Sequence, residues 1–285
     1  MAKPPKDIAA SIRQRLLNLA RQEGQVFDVV LVAFGLERLV YRLSVSDYRD
    51  RFVLKGGMLV TLWTADTGRF TRDIDFLAFG SDEEAALKEA ISTILAIDGG
   101  DGLIYDEANL TAAPIREDQV YGGMRLRRTA YLGTTQIPIT VDLGFGDALG
   151  DPKYQIDYAS LLDFPAASIR AYSPATVIAE KFQAVVALGI ANSRMKDFYD
   201  LWTLPKAVKI DSQELSNTIQ GTFSRRGTAI PTTCPAGLSP AFSTEQGKET
   251  QWRAYSSGTK LEGKPLAEVT AEIWSWLEPA CQSAS

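Results

Sequence analysis

Residues 52–80 read "FVLKGGMLVTLWTADTGRFTRDIDFLAFG". A glycine pair, Gly56 and Gly57, breaks a short apolar run and opens a helical pattern over 57–64. Further on, Asp73 and Asp75 flank one isoleucine at the start of the apolar segment from Ile74 to Ala78. Residues i and i+2 of a strand point to one face, so the spacing predicts two carboxylates projecting together while Ile74 and Phe76 face a core. Two such carboxylates repel unless a cation lies between them. Mg2+ fits that place, because it takes oxygen ligands and works with one or two carboxylates plus phosphates.

A third acid stands in "IPITVDLGFGD" (residues 137–147), where Asp142 interrupts an apolar strand. A buried, unpaired aspartate costs several kcal/mol, roughly. Two readings of Asp142 stand side by side: completion of a metal-binding triad with Asp73 and Asp75, or partnership with a buried arginine. A triad would brace a phosphoryl or nucleotidyl transfer. The glycine pair suits the first reading, since Gly56 and Gly57 let backbone N–H groups and a helix N-terminus approach a triphosphate. An ordinary tight turn is the alternative. Lys55 either adds charge to that loop or is solvated.

Elsewhere the chain alternates between helical and extended patterns. Residues 7–22 and 25–46 have helical apolar spacing, the second as one helix or two. Ser81 stands as the N-cap of a helix in "SDEEAALKEAISTILAI". From 103 to 172 the segments read as sheet strands. Ser173, Pro174 and Gly189 frame a helix as cap, first residue and exit. Helices are also expected at 196–204, 212–224 and 265–278, with 226–264 left as a long loop or a partly ordered segment. The expected boundary lies near 170, giving a mixed core over 1–170 and a helical lobe over 171–285.

Within the helical part, Lys181 sits in an apolar helix, where it either snorkels or reaches a triphosphate. Asp197 and Asp200 share a helix face three residues apart, flanked by Arg194 and Lys196. They form a salt-bridged surface, or one of them orients Lys181 or the nucleotide, or acts as a base. Arg125 and Arg127 share a strand face and bind RNA or triphosphate, or line a solvated edge. Arg225 and Arg226 read as plain surface.

Composition narrows the chemistry. The chain has 285 residues, 45% of them apolar and 23% charged, and a formal charge of −5. That balance is globular and mildly opposes binding of nucleic acid through overall charge. No histidine is present. Ser-His-Asp catalysis, Cys-His catalysis and His-ligated zinc are therefore excluded. Cys234 and Cys281 have no metal-ligand spacing and read as free thiols. The N-terminal residues lack a signal-peptide core, and no stretch reaches ~20 continuous apolar residues. A cytoplasmic protein with no membrane span is expected.

The segments "LKGGMLV", "GRFTRDIDF", "ITVDLGF", "AEKFQAVVALG" and "RMKDFYDLW" together resemble the AbiEii/AbiGii family of nucleotidyltransferase-like toxins, within the polymerase-beta-like nucleotidyltransferase superfamily. The resemblance spans about residues 30–205. It implies an α/β (α+β) fold: a nucleotidyltransferase mixed-sheet core with helices, then a mainly helical C-terminal lobe. It also implies the toxin of a toxin–antitoxin or phage-defence system, abortive infection among them, with an antitoxin encoded nearby. Characterised members use nucleoside triphosphates, and some extend the 3′ end of tRNA. By the resemblance, Asp73, Asp75 and Asp142 match metal-binding and catalytic acids, and Lys181 and Asp197 further catalytic positions. Gly56 and Gly57 match the phosphate loop and Asp200 the last motif; with Lys55, Thr71 and Lys181 they are the candidate nucleotide-binding residues. Where much of the superfamily has Gly-Ser, this chain has Gly-Gly, which leaves phosphate contact to backbone groups.

Three functions follow. The first is Mg2+-dependent nucleotidyl transfer from a nucleoside triphosphate to RNA, tRNA foremost. The second keeps the chemistry and moves it to a protein, such as the antitoxin. The third is a nucleotide- or partner-binding protein without catalysis.

Overall fold

The computed structural model describes residues 7–66, 68–106, 110–115 and 122–284. They divide into two compact units. The first comprises residues 1–59, 70–146 and 153–171; the second comprises 60–69, 147–152 and 172–285.

The first unit is built on a mixed sheet. Its strands are β1 (Phe52–Lys55), β2 (Ile74–Ala78), β3 (Leu103–Tyr105), β4 (Thr111–Ile115), β5 (Gly123–Leu132) and β6 (Thr135–Phe145). The order is β1-β2-β6-β5-β3, with β4 also paired to β5. Only β2 and β6 run parallel among these pairs. Strands β7 (Gln155–Tyr158) and β8 (Ala167–Arg170) form a separate antiparallel pair.

Alternation decides which face is buried. In β6, Ile137, Ile139, Val141 and Leu143 are buried, as are Leu126, Ala130 and Leu132 in β5. Helices α1 (Ile8–Gln22), α2 (Phe27–Ser44) and α4 (Glu84–Leu95) belong to this unit. Residues 25–46 thus form one helix, not two. Gly35 of α2 faces Ile137 and Ile139, and a Cβ there would stand 2.8 Å from the Ile139 side chain. The missing side chain lets α2 approach the sheet. Asp7 caps α1 by accepting from the Ala10 N–H at 3.0 Å. Ser81 does not cap α4: the helix starts at Glu84, and the Ser81 hydroxyl accepts from the Glu83 N–H at 3.2 Å in the preceding turn. Glu83 is itself extended, so the helix begins later than its acidic residues suggest.

Helix α3 (Gly57–Thr64) carries the chain from the first unit to the second. The second unit holds α5 (Pro174–Leu188), α6 (Met195–Ala207), α7 (Ser212–Arg225), α8 (Pro240–Ser243), α9 (Gln246–Ser256) and α10 (Leu266–Ala284). Ser173 caps α5 by accepting from the Thr176 N–H at 3.3 Å, and Pro174 opens it. The rings of Phe182 in α5 and Phe223 in α7 pack 5.4 Å apart, and Phe198 of α6 stacks on Phe242 of α8 at 5.2 Å. Residues 226–264 are ordered around fully buried Trp252, whose indole N–H donates to the Lys264 carbonyl at 2.7 Å. Among the described residues, Pro174–Ala191 has the length and composition of a membrane span, with mean hydropathy 1.3. Half of it is buried inside the protein, and it carries Glu180 and Lys181. Cys234 is an exposed free thiol and Cys281 a buried one.

Candidate active site

Strand register places four charged residues in one rank. Lys55 of β1 pairs with Asp75 of β2, Asp75 with Asp142 of β6, and Asp142 with Arg125 of β5. Directly opposed residues share a sheet face, so these side chains stand in a row across four strands. Asp73 lies just before β2, two residues from Asp75, and so belongs on the same side. The Thr71 hydroxyl donates to the Asp73 carboxylate at 2.6 Å. That bond holds Asp73 in one rotamer, which makes Thr71 a support for the acid in this structure.

Gly56 adopts φ +75°, a region that L side chains avoid. A Cβ at Gly56 would also fall on the Asp75 carboxylate and on the Asp75 Cβ. The glycine turn and the second acid are thus packed together, and Gly57 begins α3 immediately after. Lys55 is half-buried at the end of β1.

Asp142 is 8% exposed and does not stand alone. Arg125 donates to both of its oxygens, Nε to Oδ1 at 2.7 Å and Nη2 to Oδ2 at 2.5 Å. The hydrogen bond to Asp142 raises Arg125 above the ordinary arginine range; burial opposes it, and the charges of Asp142, Asp73 and Asp75 add to it. Asp142 lies beside Asp75 in register and is paired with an arginine, one that is 35% exposed rather than buried. Among the described residues no three His, Cys, Asp or Glu side chains are gathered as a metal cage. The donors present are still hard oxygens of the kind Mg2+ takes, with Asp73 and Asp75 on one side and Asp142 held by Arg125.

In the second unit, Lys181 of α5 donates to Asp197 at 2.8 Å and lies 2.7 Å from Asp200. Both aspartates are fully buried, and the Lys181 side chain is 11% exposed. Arg194 lies 2.8 Å from the second Asp197 oxygen. Burial lowers the tendency of Lys181 to be charged, but Asp197 and Asp200 outweigh it and hold the ammonium above the ordinary lysine range. Asp197 and Asp200 form a buried bracket around one lysine. Both hold Lys181, and Asp197 has two cations on it.

Arg69 was not singled out by sequence reasoning. It forks onto Asp200, Nε to Oδ1 at 2.8 Å and Nη2 to Oδ2 at 2.9 Å. Its only sequence signal is its place in "GRFTRDIDF", four residues before Asp73. An arginine in a Gly/Thr loop otherwise reads as solvated. Asp66 anchors the same loop by accepting from the Tyr199 hydroxyl and from the Lys260 N–H at 3.1 Å. Arg226 also departs from expectation. Its side chain is 14% exposed and bridges Asp147 at 3.1 Å and Glu180 at 3.0 Å, because α7 ends beside α5. Arg127 is exposed on β5, consistent with an open strand surface.

Comparison with known proteins adds the family. No curated protein matches the chain. Among solved structures, a candidate nucleotidyltransferase of H. pylori is 15% identical with a TM-score of 0.47, over 87% of this chain and 92% of the other. JHP933 from Helicobacter pylori is 14% identical with a TM-score of 0.48, over 89% and 93%. Residues 38–278 match the family described as nucleotidyl transferase AbiEii toxin, type IV TA system. That match spans the acid row, the Lys181 bracket and most of both units, so the chain belongs to the AbiEii family of nucleotidyltransferase toxins of type IV toxin–antitoxin systems.

Proposed function

We propose that this nucleotidyltransferase moves a nucleotidyl group from a nucleoside triphosphate to the 3′ hydroxyl of an RNA, tRNA foremost, in the cytoplasm. A cognate antitoxin restrains it. The observation that carries the reading is the rank of Lys55, Asp75, Asp142 and Arg125 on one sheet face beside the Gly56 turn. In the reaction the acceptor oxygen bonds to the α-phosphorus, the bond from that phosphorus to the bridging oxygen of the β-phosphate breaks, and pyrophosphate leaves. The acceptor's proton passes to a carboxylate of the row.

Asp73 and Asp75 would hold Mg2+, with Asp142 joining them once its oxygens are available. The ion supplies charge neutralisation on the phosphates and orientation of the acceptor. Gly56 and Gly57 bring backbone close to the triphosphate at the start of α3. Lys55 adds positive charge at that turn, and Thr71 keeps Asp73 in place. Lys181 is fixed as a cation within the second unit by Asp197 and Asp200. The first unit is the nucleotidyltransferase core and the second its helical lobe.

The test incubates the purified protein with each labelled nucleoside triphosphate, Mg2+ and total RNA, with Asp75→Asn in parallel. Label on RNA from the wild-type protein alone is the expected result. Label on protein would move the acceptor to a polypeptide, and no label with all four triphosphates would sink the reading.

A further inference from the structure

We propose that Arg125 closes Asp142 against divalent cations and has to release it before the acid row can ligate one. The inference rests on the metal-dependent reading above and adds a competitor to it. Asp75 and Asp142 of the first unit are register partners in its sheet and Asp73 lies two residues before Asp75, yet the three are not gathered as a cage. Asp142 and Asp75 are register partners, but both Asp142 oxygens accept from the Arg125 fork, at 2.7 and 2.5 Å. Each carboxylate oxygen has a second lone pair. A dication on that lone pair would stand close to the guanidinium charge, and the repulsion disfavours both being held at once.

Release is feasible because the two partners differ in exposure. The Asp142 side chain is 12% exposed and fixed within β6, whereas the Arg125 side chain is 35% exposed on a long flexible stem. The arginine is the partner that can leave. Once released, its planar fork suits a phosphate as well as it suited a carboxylate. Metal and triphosphate together would therefore move Arg125 from one anion to another. Each would raise the affinity of the other, as linkage requires.

The experiment is a Mn2+ titration of the purified full chain, read by the loss of the free-ion electron paramagnetic resonance signal, without nucleotide. Arg125→Ala is expected to bind Mn2+ tighter than wild type by on the order of tenfold. Arg125→Lys is also expected to bind tighter than wild type, since an ammonium keeps the charge but does not span both oxygens. Adding Asp142→Asn to Arg125→Ala is expected to remove the gain. Unchanged or weaker binding by Arg125→Ala overturns the proposal. So does Arg125→Lys matching wild type while Arg125→Ala binds tighter, because that pattern is through-space charge alone. A gain that survives Asp142→Asn also overturns it. If wild type, Arg125→Ala and Asp73→Asn all fail to bind Mn2+, the metal-dependent reading falls too, which separates the two failures.

Discussion

Gly56 meets two constraints at one position. Its φ of +75° strains any L side chain, and the Asp75 carboxylate occupies the space where a Cβ would go. Gly56→Ala is expected to cost roughly 1–3 kcal/mol in stability, from the left-handed backbone and the displaced acid. Nucleotidyl transfer should fall further than that loss of folded protein explains, because Asp75 moves. Denaturant melts beside initial rates on the same preparation decide it; parallel losses in both would mean the glycine is only a turn. Asp75→Asn keeps the shape and removes the charge, and a rate loss on the order of 10²-fold with an unchanged melt is expected. Sequence spacing already led to the expectation that Asp73 and Asp75 share a face, because alternation is local. It left Asp142 with two readings, because pairing with Asp75 on one side and Arg125 on the other depends on register between strands distant in the chain. It also missed why the first glycine is needed. Only the antiparallel pairing of β1 with β2 brings Asp75 over Gly56.

The α5–α6 pair shows what helix-level patterning reveals and what it conceals. Period and capping located α5, helical pattern alone located α6, and three-residue spacing put Asp197 and Asp200 on one face. Charged residues on one helix face normally read as solvated, and nothing local says that these two are fully buried. Their cations come from elsewhere: Lys181 from α5, and Arg69 from a loop 131 residues away from Asp200. Burial raises the Asp200 pKa, but Lys181 and Arg69 outweigh it and hold the carboxyl below the ordinary aspartate range. The sign follows. The stabilisation is present above the unfolded-state value, about pH 4, and is lost as pH falls through the lower folded value. Asp200→Asn should therefore flatten the acid limb of the stability–pH curve. At neutral pH it should cost about 3 kcal/mol or more, since two buried cations lose a charged partner. Urea melts from pH 7 to pH 2 test both statements, and an acid limb as steep as that of wild type would show that the pair contributes no linkage. The α2 cluster escaped sequence reading in the same way. Arg38 and Arg42 look like surface positions of an amphipathic helix, yet both are buried on Asp101, at 2.8 and 2.6 Å.

At the scale of the whole chain, the path matters more than the midpoint. A single break near residue 170 separates sheet-forming from helical sequence, and composition alone supports it. The second unit, however, also contains residues 60–69 and 147–152, so the chain passes between the units five times. Those two short pieces were illegible in the sequence, since neither differs in pattern from its surroundings. They supply groups that the helical unit buries. Arg69 forks onto Asp200, Asp66 holds Tyr199 and Lys260, and Asp147 pairs with Arg226. A fragment of residues 171–285 keeps its helices and aromatic contacts but loses these partners. Asp200 would retain one of its two cations, and Arg226 one of its two carboxylates. Breaking a buried pair by removing one partner costs about 3–5 kcal/mol, comparable to much of a domain's net stability of roughly 5–15 kcal/mol. The fragment is therefore expected to be helical by far-ultraviolet circular dichroism but to melt without a cooperative transition, while the full chain melts cooperatively. A sharp transition and a dispersed amide spectrum from the fragment alone would mean that the helices and their rings suffice, and that the inserted pieces serve the reaction rather than the fold.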